Sequence, residues 1–187
     1  VKVGKRSLLF GVHQVFWHPF TVIVAWWSLY GRPSWRDLVC IIIHDWGYWF
    51  TSNMDGMEGE RHPEYAAKLA GKWFGPKYQN LCLYHSRSYS KKAGKQPSRL
   101  CWADKLSVKY DPWWFYILRA WVSGELHEYR QEAAKDGLVP LSAGHREWHH
   151  YFRGLFIELA KENTKVQDTG EGDVNGAIFV LFKVGRM

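Results

Sequence analysis

Leu38-Val39-Cys40-Ile41-Ile42-Ile43-His44-Asp45-Trp46-Gly47-Tyr48 is the stretch that decides how the chain reads. Six apolar residues run into an imidazole and a carboxylate, side by side, at the end of a segment that has to be buried. Burying that pair is costly unless something binds it. Both groups are metal ligands, so a metal ion is the natural occupant. The fold then depends on whether the flanking sequence brings further ligands to the same place.

Upstream, Ser34-Trp35-Arg36-Asp37 has the form of a helix start with a capping Ser and an acid three residues on. The helix it opens runs to His44 or just beyond, with Cys40, Ile41 and His44 on its buried stripe. A helix is expected from about His18 to Tyr30, with Pro19 in its first turn and Gly31 at its end. Its stripe is His18, Val22, Ala25, Trp26 and Leu29. Residues 1–12 begin basic and turn apolar.

Downstream, residues 47–61 are rich in Gly and acids and read as a loop, a lid or rim of a site. His62-Pro63-Glu64 opens a helix to Trp73, closed by Gly75. Another follows Pro76, with Tyr78, Leu81, Cys82, His85 and Tyr89 on one face. Pro97 opens the next, striped by Leu100, Cys101, Asp104 and Val108. A long helix is expected from Pro112 to about Lys135, and a last one from a capping Ser142 to about Lys161. Residues 164–175 read as a polar linker and Ala177–Val184 as a short extended segment. The expectation is an all-α bundle over 1–163 with an appendage over 164–187. That appendage is also placed to add a strand to a neighbouring copy, which leaves a homo-oligomer open.

Composition narrows the class. At 187 residues the chain suits one domain with a real core. Cys40, Cys82 and Cys101 are odd in number and widely spaced, which points away from a disulfide framework and toward a reducing, cytoplasmic compartment. No apolar run reaches the roughly 20 residues needed to span a membrane, and no signal-peptide pattern is visible. The start at Val1 rather than Met suggests processing or cutting. Of the net charge of +7, six come from Arg87 to Lys109, where Arg87, Lys91, Lys92, Lys95, Arg99, Lys105 and Lys109 face one acid, Asp104. Such a run suits an anionic partner, although for a charge run taken alone a solvated face and loop is the commoner explanation. The twelve Trp are expected mostly in the core, with Trp46, Trp49 and Trp102 as candidates for stacking on a base and Trp102 the best candidate for packing.

The ligand question now has an answer. His18, His44, His85 and Asp104 each fall on the apolar stripe of a different expected helix, and His62 falls at a helix start. One buried His is more often a satisfied core residue than a ligand, and one buried Asp is more often half of an ion pair, here with Arg99 or Lys105. Ionisable groups turned inward on four helices are harder to explain separately, and one shared metal site satisfies all of them.

The order His18, His44-Asp45, His62, His85, Asp104 resembles the HD-domain superfamily of metal-dependent phosphohydrolases, in its binuclear form. The local contexts resemble it too: His18-Pro19-Phe20-Thr21, Ile43-His44-Asp45-Trp46-Gly47, His62-Pro63-Glu64-Tyr65-Ala66-Ala67, Tyr84-His85-Ser86 and Ala103-Asp104-Lys105. The resemblance covers about residues 10–110. It implies an HD-type helical bundle in which Asp45 bridges two cations. His18, His44, Asp45 and Asp104 would hold the first, with His13 an alternative to His18. Asp45, His62 and His85 would hold the second. A His-rich shell suits two divalent transition metals (Fe, Mn, Co, Ni or Zn) rather than Mg or Ca.

The chemistry so implied is hydrolysis of a phosphate ester or anhydride, with a nucleotide as the leading substrate and a hydroxide held between the two metals as nucleophile. Arg87 and Lys105 are the candidates for neutralising phosphoryl oxygens. One departure stands out. Where several binuclear hydrolases of this kind carry Lys three residues after the Asp, and mononuclear relatives often carry Glu, this chain has Tyr48. Tyr48, Lys105, Glu58, Glu60 and Glu64 are therefore all candidates for the leaving-group acid. The same ligand order is similar to that of the inositol oxygenase group, so a mixed-valent di-iron oxygenase acting on a small polar substrate is the alternative. A nucleic-acid binder is a third reading, supported only by the basic run.

Overall fold

The capping signal read at Ser34 is the best place to begin, because the chain forms it in full. In the computed structural model, which describes residues 3–54 and 56–169 with side chains to 164, the Ser34 hydroxyl accepts from Asp37 N at 3.2 Å while the Asp37 carboxylate accepts from Ser34 N at 2.9 Å. Two orphan donors of the first turn are thereby satisfied. The helix that follows spans Trp35–Ile43.

In chain order the helices are α1 (Val3–Phe10), α2 (Trp17–Tyr30), α3 (Trp35–Ile43), α4 (Gly56–Gly59), α5 (His62–Phe74), α6 (Pro76–Leu83), α7 (Arg87–Lys92), α8 (Arg99–Ser107), α9 (Trp113–Ser123), α10 (Glu125–Lys135) and α11 (His145–Thr169). Short 3-10 turns lie at Trp46–Phe50 and Val108–Tyr110. Among the described residues there is no strand, and the class is all-α. No helix among them is long and apolar enough to cross a membrane.

Four boundaries differ from expectation. The helix after Pro76 stops at Leu83, so His85 sits in the turn beyond it and Tyr89 belongs to α7. The long helix expected from Pro112 is two helices, broken at Gly124 with φ 90°. An L side chain resists that left-handed conformation, and glycine adopts it freely. The run expected as a loop over 47–61 contains the 3-10 turn and α4. Finally, α11 continues through Thr169 and takes up the first six residues expected as linker. The extended segment expected over 177–184 lies outside the described residues.

Three cores hold the helices together. Val22, Ala25 and Trp26 of α2 meet Ile41 of α3, Leu100, Trp102 and Leu106 of α8, and Leu159 and Ala160 of α11. Cys40 and Ile43 of α3 meet Ala66, Ala67 and Ala70 of α5 and Tyr78 and Cys82 of α6. The three alanines let α5 lie close against its neighbours. Leu8 of α1, Ala120 of α9, Leu126 and Tyr129 of α10, and Trp148 and Phe152 of α11 form the third. Leu155 and Phe156 pack against two of the three cores, which makes α11 the strut between them. All three cysteines are buried and free.

Candidate metal centre

His44 and Asp45 lie where α3 ends. His44 is still helical, at φ −55° and ψ −35°, whereas Asp45 turns out at φ −95° and ψ 0°. The chain can turn there because Gly47 presses on the start of α5: a Cβ on Gly47 would lie 1.9 Å from the His62 carbonyl oxygen. Tyr48 then stacks on the His62 ring, with centroids 4.0 Å apart and planes 13° from parallel.

Three imidazoles are anchored in the same way. His44 Nδ1 donates to the Ile41 carbonyl at 2.7 Å, His62 Nδ1 to the Gly59 carbonyl at 2.7 Å, and His85 Nδ1 to the Cys82 carbonyl. Ile41 and Cys82 lie in last helical turns, where carbonyls have no intrahelical partner. This is why His85 sits just past the end of α6. A carbonyl only accepts, so each Nδ1 carries the proton and each Nε2 of the neutral ring presents a bare lone pair.

Those lone pairs converge. His18 Nε2 is 3.3 Å from His44 Nε2, 3.2 Å from Asp45 Oδ2 and 3.1 Å from Asp104 Oδ1. His44 Nε2 is 3.2 Å from Asp45 Oδ2 and 3.9 Å from Asp104 Oδ1. On the other side of Asp45, Oδ1 is 3.7 Å from His62 Nε2 and 3.6 Å from His85 Nε2, which are 3.1 Å from each other. Donor atoms roughly 2.1 Å from a shared tetrahedral ion stand about 3.4 Å apart, so both groups have ligand-shell spacing. His62 and His85 cannot hydrogen-bond through two lone pairs; a cation between them resolves the contact. Asp45 Oδ2 is buried and has no hydrogen-bond partner among the described residues. The donor set therefore fits two cations that share Asp45.

The electrostatics divide the cluster. Burial alone would lower His18 and His44, but Asp104 and Asp45 outweigh it; His18 is raised and His44 is pushed up to about 10. Burial would raise Asp45 and Asp104, yet His44 and Lys105 respectively lead the charges that hold each well below the carboxylate range. His62 is driven well below its ordinary value, by burial and then by His85, so its Nε2 stays open to a metal.

All six candidate ligands, His18, His44, Asp45, His62, His85 and Asp104, are in this one cluster. A cavity of about 100 Å³ adjoins it, lined by Tyr48, Lys105, His13 and, from α9 and α11, Tyr116, Trp148, His149, Phe152 and Phe156. Lys105 Nζ stands 3.2 Å from Asp104 Oδ2. Arg87 does not line the cavity; its guanidinium lies 5.9 Å from the Phe156 ring centroid. Glu58, Glu60 and Glu64 are also elsewhere, accepting from Ser52 N, Lys92 and Arg61 respectively. Trp102 is core, and Trp46 and Trp49 line a separate apolar groove with Phe16 and Phe20. Of the seven basic residues in the 87–109 run, Lys105 alone lines the cavity.

One group was missed as a cavity residue. His13 Nδ1 lies 3.1 Å from Glu125 Oε1, and that buried carboxylate also accepts from Ser7 at 2.7 Å, Val12 N at 3.0 Å and Tyr129 at 3.0 Å. Glu125 is 112 residues from His13 in sequence, and nothing local in the chain announces the pair. The comparisons with protein-family models, with curated proteins and with solved structures give no match.

Proposed function

We propose that the protein is a metal-dependent phosphohydrolase with a binuclear centre, of the HD type that the ligand order resembles. The observation that carries this reading is the division of Asp45: one carboxylate oxygen faces His18 and His44, the other faces His62 and His85. His18, His44, Asp45 and Asp104 would hold one divalent transition metal, and Asp45, His62 and His85 the other. Two cations so held would lower the pKa of a water molecule and offset the charge of phosphoryl oxygens.

The chain's own residues supply the rest. Asp45 and Asp104, kept ionised by their neighbours, balance the cationic charge. Lys105 Nζ, at the cavity wall, binds a phosphate oxygen. His13 is oriented for proton transfer: Ser7 donates its hydroxyl proton to Glu125, so His13 Nδ1–H points to the same carboxylate and Nε2 is left to give or take a proton on the leaving-group side. The strut α11 lines one side of the cavity with Trp148, Phe152 and Phe156. Metal analysis, followed by turnover of a phosphate-ester panel with Mn, Fe, Co, Ni or Zn supplied, tests the proposal. Absence of bound metal, or turnover indifferent to it, overturns it.

The di-iron oxygenase remains the second reading, favoured by a cavity that is small and carries Lys105 as its one lysine or arginine. Turnover with Mn under nitrogen supports hydrolysis, whereas an absolute need for iron and oxygen supports the oxygenase.

A further inference from the structure

The apolar groove that holds Trp46 and Trp49 shares no lining residue with the cavity beside the metal cluster. Phe16 and Phe20 reach it from the start of α2, Trp46, Trp49 and Phe50 from the 3-10 turn after α3, and Tyr65 from α5. These rings are open to solvent: Phe16 is 80% exposed and Phe50 60%, and the other four lie between 39% and 55%. At about 200 Å² for each side chain, the six together present on the order of 600 Å² of aromatic surface. Monomeric proteins rarely leave more than a few hundred in one patch, and a larger one marks a contact surface.

Charge and chemistry say what makes that contact. Lys5 Nζ stands 5.7 Å from the centre of the Trp49 ring. At the other end of the α3 stripe, the Arg36 guanidinium stands 5.1 Å from the centre of the Trp35 ring, and Trp35 is itself 61% exposed. Residues 3–50 hold two acids, Asp37 and Asp45, and both are buried. Glu64, next to Tyr65, is paired with Arg61. The rim of the groove is therefore cationic. A second copy of the chain would bring the same cationic rim against it, which opposes self-pairing. A protein partner of ordinary kind makes about one hydrogen bond per 100–200 Å². The lining here offers only the indole N–H groups of Trp46 and Trp49 and the Tyr65 hydroxyl as side-chain polar atoms. Trp and Tyr are the side chains enriched where lipid headgroups meet acyl chains.

We infer that this face docks the protein on the surface of an anionic lipid bilayer. Phe16, Phe20 and Phe50 enter the acyl boundary, Trp46, Trp49 and Tyr65 lie at headgroup level, and Lys5 and Arg36 meet the lipid phosphates. The inference stands on the groove and its rim, and does not depend on the chemistry at the metal centre.

Co-sedimentation of the full chain with vesicles tests it, using phosphatidylcholine alone and an equimolar mixture with phosphatidylglycerol, at about 0.1 M salt. The mixed vesicles should bind at least tenfold more tightly, since each Lys or Arg near an anionic surface favours binding about fivefold. Phe16→Glu with Phe50→Glu should cost at least tenfold on the mixed vesicles while leaving the melting temperature and helical circular dichroism unchanged, because both side chains point into solvent. Lys5→Gln with Arg36→Gln should lose at least tenfold on the mixed vesicles and little on phosphatidylcholine. Leu141→Glu, 57% exposed but outside the groove, should bind as wild type does. No sedimentation with the mixed vesicles, equal binding to both kinds, unchanged binding in the phenylalanine variant, or an equal loss in Leu141→Glu overturns the inference. So does a lipid-free dimer in sedimentation velocity that the phenylalanine variant splits, which would assign the groove to a second copy.

Discussion

Asp45 turns one carboxylate oxygen to His18 and His44 and the other to His62 and His85. Replacing one of its oxygens by an amide nitrogen removes a ligand from one side and the charge from both. Asp45→Asn should therefore lose both metals and all turnover while keeping a wild-type helical circular dichroism spectrum, since the three cores do not depend on it. Metal content by mass spectrometry and the far-ultraviolet spectrum check this together; retained activity would end the shared-carboxylate model. The protonation of the cluster gives a second expectation. In the metal-free chain the neighbouring carboxylates raise His44 to about 10 and raise His18 too, which favours protons on these rings. Metal binding must expel them, and affinity should rise with pH up to about 10, with proton release visible as a buffer-dependent calorimetric enthalpy. The metal-free fold behaves oppositely. A raised histidine contributes stability that is complete below its unfolded pKa of 6.5 and is lost as pH climbs through the folded value. The melting temperature of the metal-free protein should thus fall between pH 6.5 and 10.

At the scale of the element, the readable features were those written locally. The Ser34–Asp37 box, Pro at helix starts and the stripe of α2 placed His18 and His44 without long-range knowledge. The glycine at 124 was equally visible, but its φ is set by the need to turn α10 onto α9, and a single Gly inside a helical pattern does not announce that. His85 was read on a helix face because spacing alone cannot show that its Nδ1 would take a carbonyl freed by the end of α6. Gly47 tests how closely local geometry governs the centre. Gly47→Ala forces a methyl group against the His62 carbonyl, at an overpacking cost of about 1–3 kcal/mol. It should weaken the metal held by His62 and His85 more than the other, read as two binding events separating in a titration with Zn.

For the whole molecule, the sequence disclosed the all-α class and six side chains that cluster, but not the cavity beside them. Its walls come from the turn after α1 and from α2, α8, α9, α10 and α11, and Glu125 meets His13 beside the place where Arg119 ties Asp111 to the carbonyls of Gly11 and Val12. Tertiary assembly of that kind has no periodic signature. The basic run showed the same limit, because Lys92 pairs with Glu60 and Arg99 lies over Trp26 and Tyr30, away from the cavity. A metal that binds only the folded state stabilises it by mass action, about 2.7 kcal/mol at a hundredfold excess over the dissociation constant. For a chain of this length a chelator should lower the melting temperature by roughly 5–10 °C; no shift would mean that no folded-state metal was there to remove.

Because His44 and His85 hang from carbonyls in the final turns of α3 and α6, and His62 begins α5, cations at the centre would staple three helix ends to one point. Stripping them should fray those ends first: deuterium uptake ought to quicken in the closing turns of α3 and α6 and the opening turn of α5, while the middle of α2 and of α11 stays protected.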